Sequence, residues 1–469
     1  MTGCREGGVL ANMAAMYNPA VWAGVATVGG SQLNENYRQA AAEDFCTNLD
    51  GFIDETHRLN LKKSDIPMPA WVINDPESPV GTDNGTADYW KRSCGITEDG
   101  KQTLPDTVTY IRSVEPPYAP NQEKEAFRVC TSTIPGGSAD YANLLLRRIW
   151  KDFLYRQRRW MSGPGGDLRV TKDPVADLGM EYHCEEIGGW MREWYVYVPE
   201  QVKQNPGKPV PLVFAMHGYT CSAEIYCGNS EWYKVADKHG FILVHPTATP
   251  GTMEATTVAS SPDNVALPAW NFMHTAPNGP DELLFFRTLL ERVCVDHAID
   301  RTRVYATGHS HGSVMTQVLA MTMPEVFAAA APCSGVLFQG FGMDIRVLPE
   351  IRNRKDCPIP IWMFGGEQEP WLLPAVPEID NATGDSIRIW RGNNHLTPEI
   401  PENWEDGWQV NGRWHDLHYA REDGAPMVNY TWVDYMPHAT MTEMSFRIWE
   451  EFFSKFSRVD GEIKYNPGV

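Results

Sequence analysis

The residues best suited to chemistry lie in the segment 308–312, which reads Gly-His-Ser-His-Gly. An apolar run, 304–306, precedes this segment, and a stretch with helical spacing of apolar residues, 314–321, follows it. A serine between two glycines at a strand-to-helix turn is typical of a nucleophile elbow, because only small neighbours fit such a crowded, strained turn. Ser310 is therefore the predicted nucleophile, and the backbone N–H of His311 is a predicted oxyanion-hole donor.

A serine hydroxyl becomes a good nucleophile only when a base takes its proton and a third group orients that base. Where the nucleophile lies on such an elbow, the acid and then the histidine follow it along the chain. His438 lies between the last predicted strand, 427–433, and a predicted closing helix, so it is the predicted base. The alternatives lie in a polar, tryptophan-rich insertion before that strand, and they are His395, His415 and His418.

The predicted acid follows the strand 359–364, in the sequence Gly-Gly-Glu-Gln-Glu-Pro. Glu369 is the first choice, and Glu367 remains its main alternative. Asp380 and Asp385 are weaker candidates.

The second oxyanion-hole donor is predicted in the segment 217–219, which reads His-Gly-Tyr after the buried strand 212–216. A loop in this position supplies the other donor in proteins with such an elbow, so the N–H of Tyr219 is the candidate. His415 and His418 lack the supporting ligands of a metal site, so no metal is expected.

The elements that must position these residues alternate between strand and helix patterns. Continuous apolar runs at 212–216 and 241–244 predict strands that are buried on both faces. A hairpin is predicted over 180–198, and a closing helix over 442–456 has an apolar face. This alternation predicts a mostly parallel sheet with helices on both faces.

An internal repeat relates the N-terminal third of the chain to the region that begins at the elbow. Residues 3–9 align with 308–314, and the match continues without gaps as far as Gly30 and Gly335. Later blocks match in the same order: 65–71 with 356–362, Trp90 with Trp390, and 148–153 with 447–452. Such a repeat indicates two versions of one structural unit.

The first copy has lost all three predicted catalytic positions. Arg5 aligns with the serine, Ser78 with Glu369, and Gly136 with His438. The sequence therefore predicts a degenerate, catalytically dead partial copy at 1–160, a linker at 161–178 and a catalytic domain at 179–469.

Composition narrows the classes of partner. The formal net charge of -20 argues against nucleic acid and anionic membranes as partners. No apolar run approaches the ~20 residues of a membrane span, and no basic region introduces a signal-like segment. Among 10 cysteines, Cys221 and Cys227 are close enough in sequence to form a disulfide, but reduced thiols are an equal alternative. Cellular location, oligomeric state and a natural start upstream of Met1 therefore stay open.

Four motifs together resemble the polyhydroxybutyrate-depolymerase-type esterases, which include feruloyl and acetyl-xylan-type esterases. The motifs are 214–218, 240–246, 304–312 and 449–456. The resemblance covers about residues 190–457. It implies an α/β-hydrolase fold and a serine carboxylic ester hydrolase that forms a covalent acyl-enzyme without a cofactor.

Residue by residue, Ser310 and His438 fall at the family's nucleophile and base. Glu369 falls where the family more often has Asp, and Tyr219 falls where it often has Cys. Both differences are chemically mild, because Glu serves as the third triad member elsewhere and the Tyr219 role belongs to its backbone.

The resemblance also implies a substrate class. Trp270 is similar to an aromatic motif near the family's acyl pocket, so Trp270 and Trp371 are predicted substrate contacts. Hydroxycinnamoyl or other short or aromatic acyl esters of plant polysaccharide are the implied substrates. The alternatives are a polyester depolymerase, a serine peptidase of the same fold and a non-catalytic binding module.

Overall fold

A computed structural model of the chain divides it into two compact units, Met1–Lys172 and Asp173–Val469. The structure describes residues 1–31, 33–45, 48–49, 52–53, 62–78, 85–112, 124–134, 146–160, 167–250, 267–271, 279–336, 356–369, 376–378, 381–396 and 407–468. The boundary between the units lies inside the segment 161–178, which the sequence predicts to be a linker. Part of that segment, Asp167–Val170, is a strand.

The first unit is built on a six-stranded sheet. The described strands of the unit are β1 (Thr2–Cys4), β2 (Val25–Val28), β3 (Asn48–Leu49), β4 (Phe52–Ile53), β5 (Ala70–Asn74), β6 (Lys101–Leu104), β7 (Thr107–Ile111), β8 (Arg128–Thr133), β9 (Gln157–Trp160) and β10 (Asp167–Val170). The pairs β3-β4 and β9-β10 form separate two-stranded sheets. The described helices are α1 (Glu6–Tyr17), α2 (Glu35–Glu43) and α3 (Gly85–Ser93), with a π-helical turn at Trp150–Leu154. The sheet order is β1-β2-β5-β8-β7-β6, and only the β7 and β6 pairings are antiparallel.

The second unit contains a ten-stranded sheet. Its strands are β11 (Glu181–Ile187), β12 (Trp190–Tyr197), β13 (Val210–Met216), β14 (Ile242–Pro246), β15 (Ile299–His309), β16 (Ala329–Cys333), β17 (Ile361–Gln368), β18 (Gln409–Asn411), β19 (Trp414–Ala420) and β20 (Pro426–Pro437). A separate hairpin is formed by β21 (Phe456–Val459) and β22 (Glu462–Tyr465). The described helices are α4 (Glu200–Lys203), α5 (Ala223–Ser230), α6 (Trp232–His239), α7 (Glu282–Asp296), α8 (His311–Thr322), α9 (Ala382–Asn393) and α10 (Thr442–Arg447).

The order of this sheet, β11-β12-β14-β13-β15-β16-β17-β20-β19-β18, identifies the fold. The strands from β14 to β20 are parallel, while β12 runs antiparallel to β14 and lies outside it. A central parallel sheet with an antiparallel second strand and crossed third and fourth strands is the α/β-hydrolase fold, so the predicted fold class is confirmed. All residues of β13 and β14 are buried, as strands covered by helices on both faces must be.

One region differs from the sequence prediction. The polar stretch before β20, predicted as an insertion, instead forms β18 and β19 and extends the sheet. One polar side chain of this stretch is buried in an ion pair: Asp416 is 5% exposed and accepts a hydrogen bond from Arg447 at 3.0 Å. A buried ion pair is not visible in a sequence pattern, because each partner reads as a surface residue.

The closing helix is also less regular than predicted. Helix α10 ends at Arg447, and the chain then forms a π-helical turn at Ile448–Phe452. This irregular segment buries its aromatic residues against the sheet: Trp449 stacks on Phe241 with 4.0 Å between ring centroids. Among the described helices of the chain, none is long and apolar enough to cross a bilayer.

Candidate active site

The turn between β15 and α8 holds Ser310 in a left-handed conformation, with φ 56° and ψ −117°. The flanking glycines are needed for close approach of backbones. A Cβ on Gly308 would lie 2.4 Å from the carbonyl oxygen of Gly312, and one on Gly312 would lie 2.4 Å from that of Met216. The turn therefore admits no larger residue on either side of the serine.

The structure brings the predicted base and acid together. Nδ1 of His438 lies 2.6 Å from Oε2 of Glu369, whose side chain is 1% exposed. Because a carboxylate only accepts hydrogen bonds, Nδ1 carries the proton, which leaves Nε2 as the basic nitrogen. The His438 side chain is 32% exposed, so the imidazole lies at the surface of the site while its acid is covered.

Glu367, the alternative acid, is engaged elsewhere. Its Oε2 accepts a hydrogen bond from the N–H of Tyr435 at 2.8 Å. Tyr435 has φ 58°, a left-handed conformation that costs about 1 kcal/mol or more in a non-glycine residue. Glu367 thus holds the loop that carries His438, while Glu369 contacts its imidazole.

Two contacts connect the elbow to the loop of the base. The rings of His309 and His438 lie 4.7 Å apart between centroids. The Ser310 N–H donates to the carbonyl oxygen of Cys333 at 2.9 Å, and the next residue, Ser334, donates through its hydroxyl to the carbonyl of Ala439 at 3.3 Å. The loops after β15, β16 and β20 therefore meet at the same edge of the sheet.

Strained backbone occurs at several of the strand ends around the elbow. Non-glycine residues with left-handed φ include Thr220 (65°), Ser310 (56°), Ser334 (54°) and Tyr435 (58°). Residues held in such conformations cluster at functional sites, where the surrounding structure compensates for their cost.

The loop after β13 lies close to the elbow. A Cβ on Gly218 would lie 3.2 Å from Cβ of Ser310, and the Tyr219 ring packs on the His311 ring at 6.0 Å between centroids. His311 is the first residue of α8, where N–H groups are not used inside the helix. The two predicted oxyanion donors, the N–H groups of Tyr219 and His311, are thus in neighbouring segments.

His217 holds this loop in place. Its Nδ1 lies 2.7 Å from the Gly218 carbonyl oxygen, and its Nε2 lies 2.9 Å from the backbone N–H of Ala248. This pattern requires a neutral ring that donates from Nδ1 and accepts at Nε2. Burial lowers the pKa of His217 to about 4, which keeps the ring neutral at physiological pH.

Trp270 is 2% exposed and joins both halves of the predicted oxyanion hole. Its backbone N–H donates to Nδ1 of His311 at 3.1 Å, and its indole N–H donates to the His217 carbonyl at 2.9 Å. These bonds give Trp270 a positioning role, while its role as a substrate contact stays a prediction. Trp371, the other predicted contact, lies outside the described residues.

A buried ion pair anchors the Trp270 segment, and no sequence pattern predicted it. Glu282 Oε1 accepts the N–H of Asn271 at 3.0 Å, and its Oε2 accepts from Arg192 at 2.8 Å. Both charged side chains are 1% exposed. In the sequence, Glu282 reads as an ordinary acidic residue at a helix start, so no signal distinguished it.

The three alternative histidines form hydrogen bonds with groups other than Glu369. His395 pairs with Asp356 at 2.8 Å, and His415 pairs with Asp434 at 3.0 Å. His418 lies 2.9 Å from the side-chain oxygen of Asn429.

Of the two weaker candidate acids, Asp385 forms an ion pair with Arg388, and Asp380 lies outside the described residues. Cys221 and Cys227 are free thiols. Across the described ranges, no group of three or more His, Cys, Asp or Glu side chains could hold a metal ion.

Comparison with known proteins finds a match to one protein family. Residues 195–361 match the family model described as esterase PHB depolymerase. Feruloyl esterase B of Talaromyces stipitatus is 33% identical over 148 residues, which cover 31% of this chain and 36% of that protein. Poly(3-hydroxyalkanoate) depolymerase C of Paucimonas lemoignei is 32% identical over 145 residues, which cover 30% of this chain and 31% of that protein.

A solved structure, the acetyl xylan esterase from Aspergillus awamori, aligns with a TM-score of 0.43 at 17% identity and covers 59% of this chain and 98% of that one. The chain spans 36% of the length of the first curated relative and 31% of the depolymerase. The matched family segment includes Tyr219 and Ser310 and ends before Glu369 and His438. Over residues 195–361, the chain is therefore similar to the esterase PHB depolymerase family.

Proposed function

We propose that the second unit is a carboxylic ester hydrolase that works through a serine acyl-enzyme. The observation that carries the proposal is the 2.6 Å contact between Nδ1 of His438 and a buried carboxylate, Glu369. This pair lies on loops that meet the elbow of Ser310, so a nucleophile, a base and an orienting acid come from three strand ends.

The reaction follows from these roles. Ser310 Oγ attacks the ester carbonyl carbon as His438 Nε2 takes its proton, and the oxyanion accepts hydrogen bonds from the N–H groups of Tyr219 and His311. His438 then gives the proton to the leaving alcohol, which departs and leaves Ser310 acylated. Water, activated by the same imidazole, releases the acid and restores the serine. Glu369 keeps the imidazole in the correct tautomer and stabilises its charge.

The proposed substrates are hydroxycinnamoyl esters, or other short or aromatic acyl esters, of plant polysaccharide. The names of relatives support this class, since they include feruloyl esterase B and acetylxylan esterase A. A polyester is the second candidate, because one relative is named poly(3-hydroxyalkanoate) depolymerase C. Methyl hydroxycinnamates, p-nitrophenyl acetate and 3-hydroxybutyrate oligomers, assayed at matched concentrations, discriminate these classes.

The first prediction concerns the nucleophile. Ser310→Ala is expected to abolish labelling by a fluorophosphonate probe and to lower kcat/KM for the best ester by about 10⁴-fold or more, because no other group takes its place. The matched control is Ser313→Ala on the same helix, whose hydroxyl donates to the Gly335 carbonyl at 3.1 Å. The control should keep both labelling and turnover. Labelling or hydrolysis that survives Ser310→Ala would exclude this mechanism.

We infer further that the first unit is a non-catalytic copy of the C-terminal half of the second. The order β1-β2-β5-β8-β7-β6 in one sheet parallels β15-β16-β17-β20-β19-β18 in the other, with the same antiparallel pair at the end. Arg5 has φ 52° and ψ −122°, close to the values of Ser310 at the corresponding turn.

Side-chain bonds repeat as well. The Trp90 indole N–H donates to Asn12 at 3.1 Å, and that of Trp390 donates to Gln317, the aligned residue, at 2.9 Å. Because Arg5 offers no hydroxyl, this unit lacks a nucleophile at its elbow. In the Ser310→Ala background, the further change Arg5→Ser should leave the protein unlabelled, since Ser78 and Gly136 supply neither acid nor base.

A further inference from the structure

A small cavity lies beside the carboxylate of Glu369. Its volume is about 10 Å³, which is about the room that one water molecule needs. The polar side chains that line it belong to Ser334, Glu369, Thr383, Ser386 and Tyr430. The cavity is therefore large enough for one water molecule, and its wall offers that water polar partners.

The second oxygen of the acid is the reason to expect an occupant. Oε2 of Glu369 contacts His438, but Oε1 is buried and has no hydrogen-bond partner within the described part of the chain. A buried carboxylate oxygen without a donor is costly, because it has lost the water that would solvate it. Glu369 lines the cavity, so a donor placed there is within its reach.

The cavity wall can hold such a donor. Tyr430 is 3% exposed and hydrogen-bonds Thr383, which also lines the cavity. Burial, and then the charge of Glu369, raise the pKa of Tyr430, so its hydroxyl stays protonated and remains a donor. The hydroxyl of Ser386, also in the wall, donates to the Ala382 carbonyl at 2.8 Å.

We propose that this cavity binds one water molecule, which donates a hydrogen bond to Oε1 of Glu369 and is held by the hydroxyls of Tyr430 and Thr383. The water fixes the rotation of the carboxylate and stabilises its negative charge. Its effect on catalysis rests on the proposed function, in which Glu369 orients His438. Tyr430 is then a positioning residue that acts on the base through the water and the acid.

The consequence for pH dependence has a definite sign. A hydrogen-bond donor to a carboxylate favours its charged form over its protonated form. Tyr430→Phe removes one hydrogen-bond partner of the water and weakens this stabilisation of the charged Glu369. We expect the acid limb of kcat/KM to move to higher pH, by roughly half a unit to one unit.

The experiment combines a crystal structure and a pH profile. The wild-type protein should show an ordered water within hydrogen-bond distance of Glu369 Oε1, and Tyr430→Phe should lose or weaken it. Tyr305→Phe is the matched control, because the Tyr305 hydroxyl is also buried and donates to the Phe456 carbonyl at 2.7 Å. The control should leave both the water and the acid limb unchanged. If Tyr430→Phe does not fold, Thr383→Val tests the same site.

Two outcomes would overturn this inference. One is a wild-type cavity without ordered water, and the other is an acid limb that does not move in Tyr430→Phe or Thr383→Val. A wild-type protein that hydrolyses no ester would instead overturn the proposed function, and the crystallographic test of the water site would still stand.

Discussion

Two glutamates at the end of β17 have different tasks in this site. Glu369 contacts the imidazole of His438 at 2.6 Å, whereas Glu367 accepts the backbone N–H of Tyr435 at 2.8 Å. The register of β17 against β20 shifts between Gly366 and Gln368, so the strand end is irregular there. This local irregularity decides which carboxylate meets the base.

The difference can be measured with one pair of variants. Glu369→Gln should lower kcat by about 10⁴-fold, because an amide presents the wrong partner to Nδ1 and favours the wrong tautomer. Glu367→Gln keeps a side-chain oxygen that can accept the Tyr435 N–H, so it should cost much less. Initial rates on a saturating ester provide the test, and equal losses in the two variants would contradict the assignment.

The sequence predicted the nucleophile more firmly than the acid for a physical reason. Ser310 lies in a local motif whose glycines are required by contacts within a few residues and with β13. The choice between Glu367 and Glu369 depends on a strand irregularity and on a loop 68–69 residues further along the chain. Long-range contacts of this kind leave no pattern in the local sequence.

At the scale of elements, the segment of Trp270 and Asn271 connects two loops with the start of α7, and we call this segment the strap. It contacts His217 and His311 directly, and Glu282 at the first position of α7 holds its neighbour Asn271. Glu282 also neutralises Arg192 in a fully buried ion pair. The geometry of the proposed oxyanion hole therefore depends on a charge pair outside it.

Removing one member of this pair should be costly in two ways. Glu282→Leu leaves Arg192 buried without its counter-charge, and the free energy of unfolding should fall by about 3–5 kcal/mol. Because leucine cannot accept the Asn271 N–H, the strap loosens, and kcat should fall more than KM changes. Denaturant unfolding and steady-state kinetics at 15 °C provide the two readouts at roughly the temperature of greatest stability.

The control is the double variant Glu282→Leu with Arg192→Met, which removes both charges. It should recover much of the stability, since an apolar pair replaces a buried ion pair at little cost. It should not recover kcat, because leucine cannot accept the Asn271 N–H. Full recovery of kcat would show that the strap does not position the site.

Secondary structure could be predicted where burial on both faces makes a strand uniformly apolar. The runs at 212–216 and 241–244 correspond to β13 and β14 in the centre of the sheet. Strands β18 and β19 at the end of the sheet were missed because they carry many polar residues, of which His418 is paired across the ladder with Asn429. The spacing and number of apolar residues in a sequence do not show such pairing.

At the scale of the whole molecule, buried histidines make stability depend on pH. His217 and His245 are both 0% exposed. Burial lowers the pKa of His217 to about 4 and that of His245 to about 3. In the unfolded chain both rings take up protons near pH 6.5, the usual pKa of histidine.

The unfolded state therefore binds more protons than the folded state between about pH 6.5 and those lower pKa values, and stability falls as the pH decreases through this range. Each histidine contributes about 1.4 kcal/mol per pH unit in the window. We expect the denaturant midpoint of the second unit, followed by tryptophan fluorescence, to be lower at pH 5 than at pH 7.5.

Two variants give this prediction its controls. His245→Gln should make the difference between the two pH values smaller, because one buried titrating ring is gone. His395→Gln should leave the difference unchanged, because the side chain of His395 is 61% exposed. A midpoint at pH 5 equal to or above that at pH 7.5 would contradict the expected sign.

The turn after β1 has the backbone of a nucleophile elbow without its nucleophile. Arg5 adopts nearly the same unusual backbone angles as Ser310, yet it brings no hydroxyl to its position. The backbone conformation of such a bend is thus separable from its side chain, and a geometric search for such bends would return residues without a nucleophilic group beside residues that have one. Only the side chain at the apex, together with an imidazole opposite it, tells the two apart.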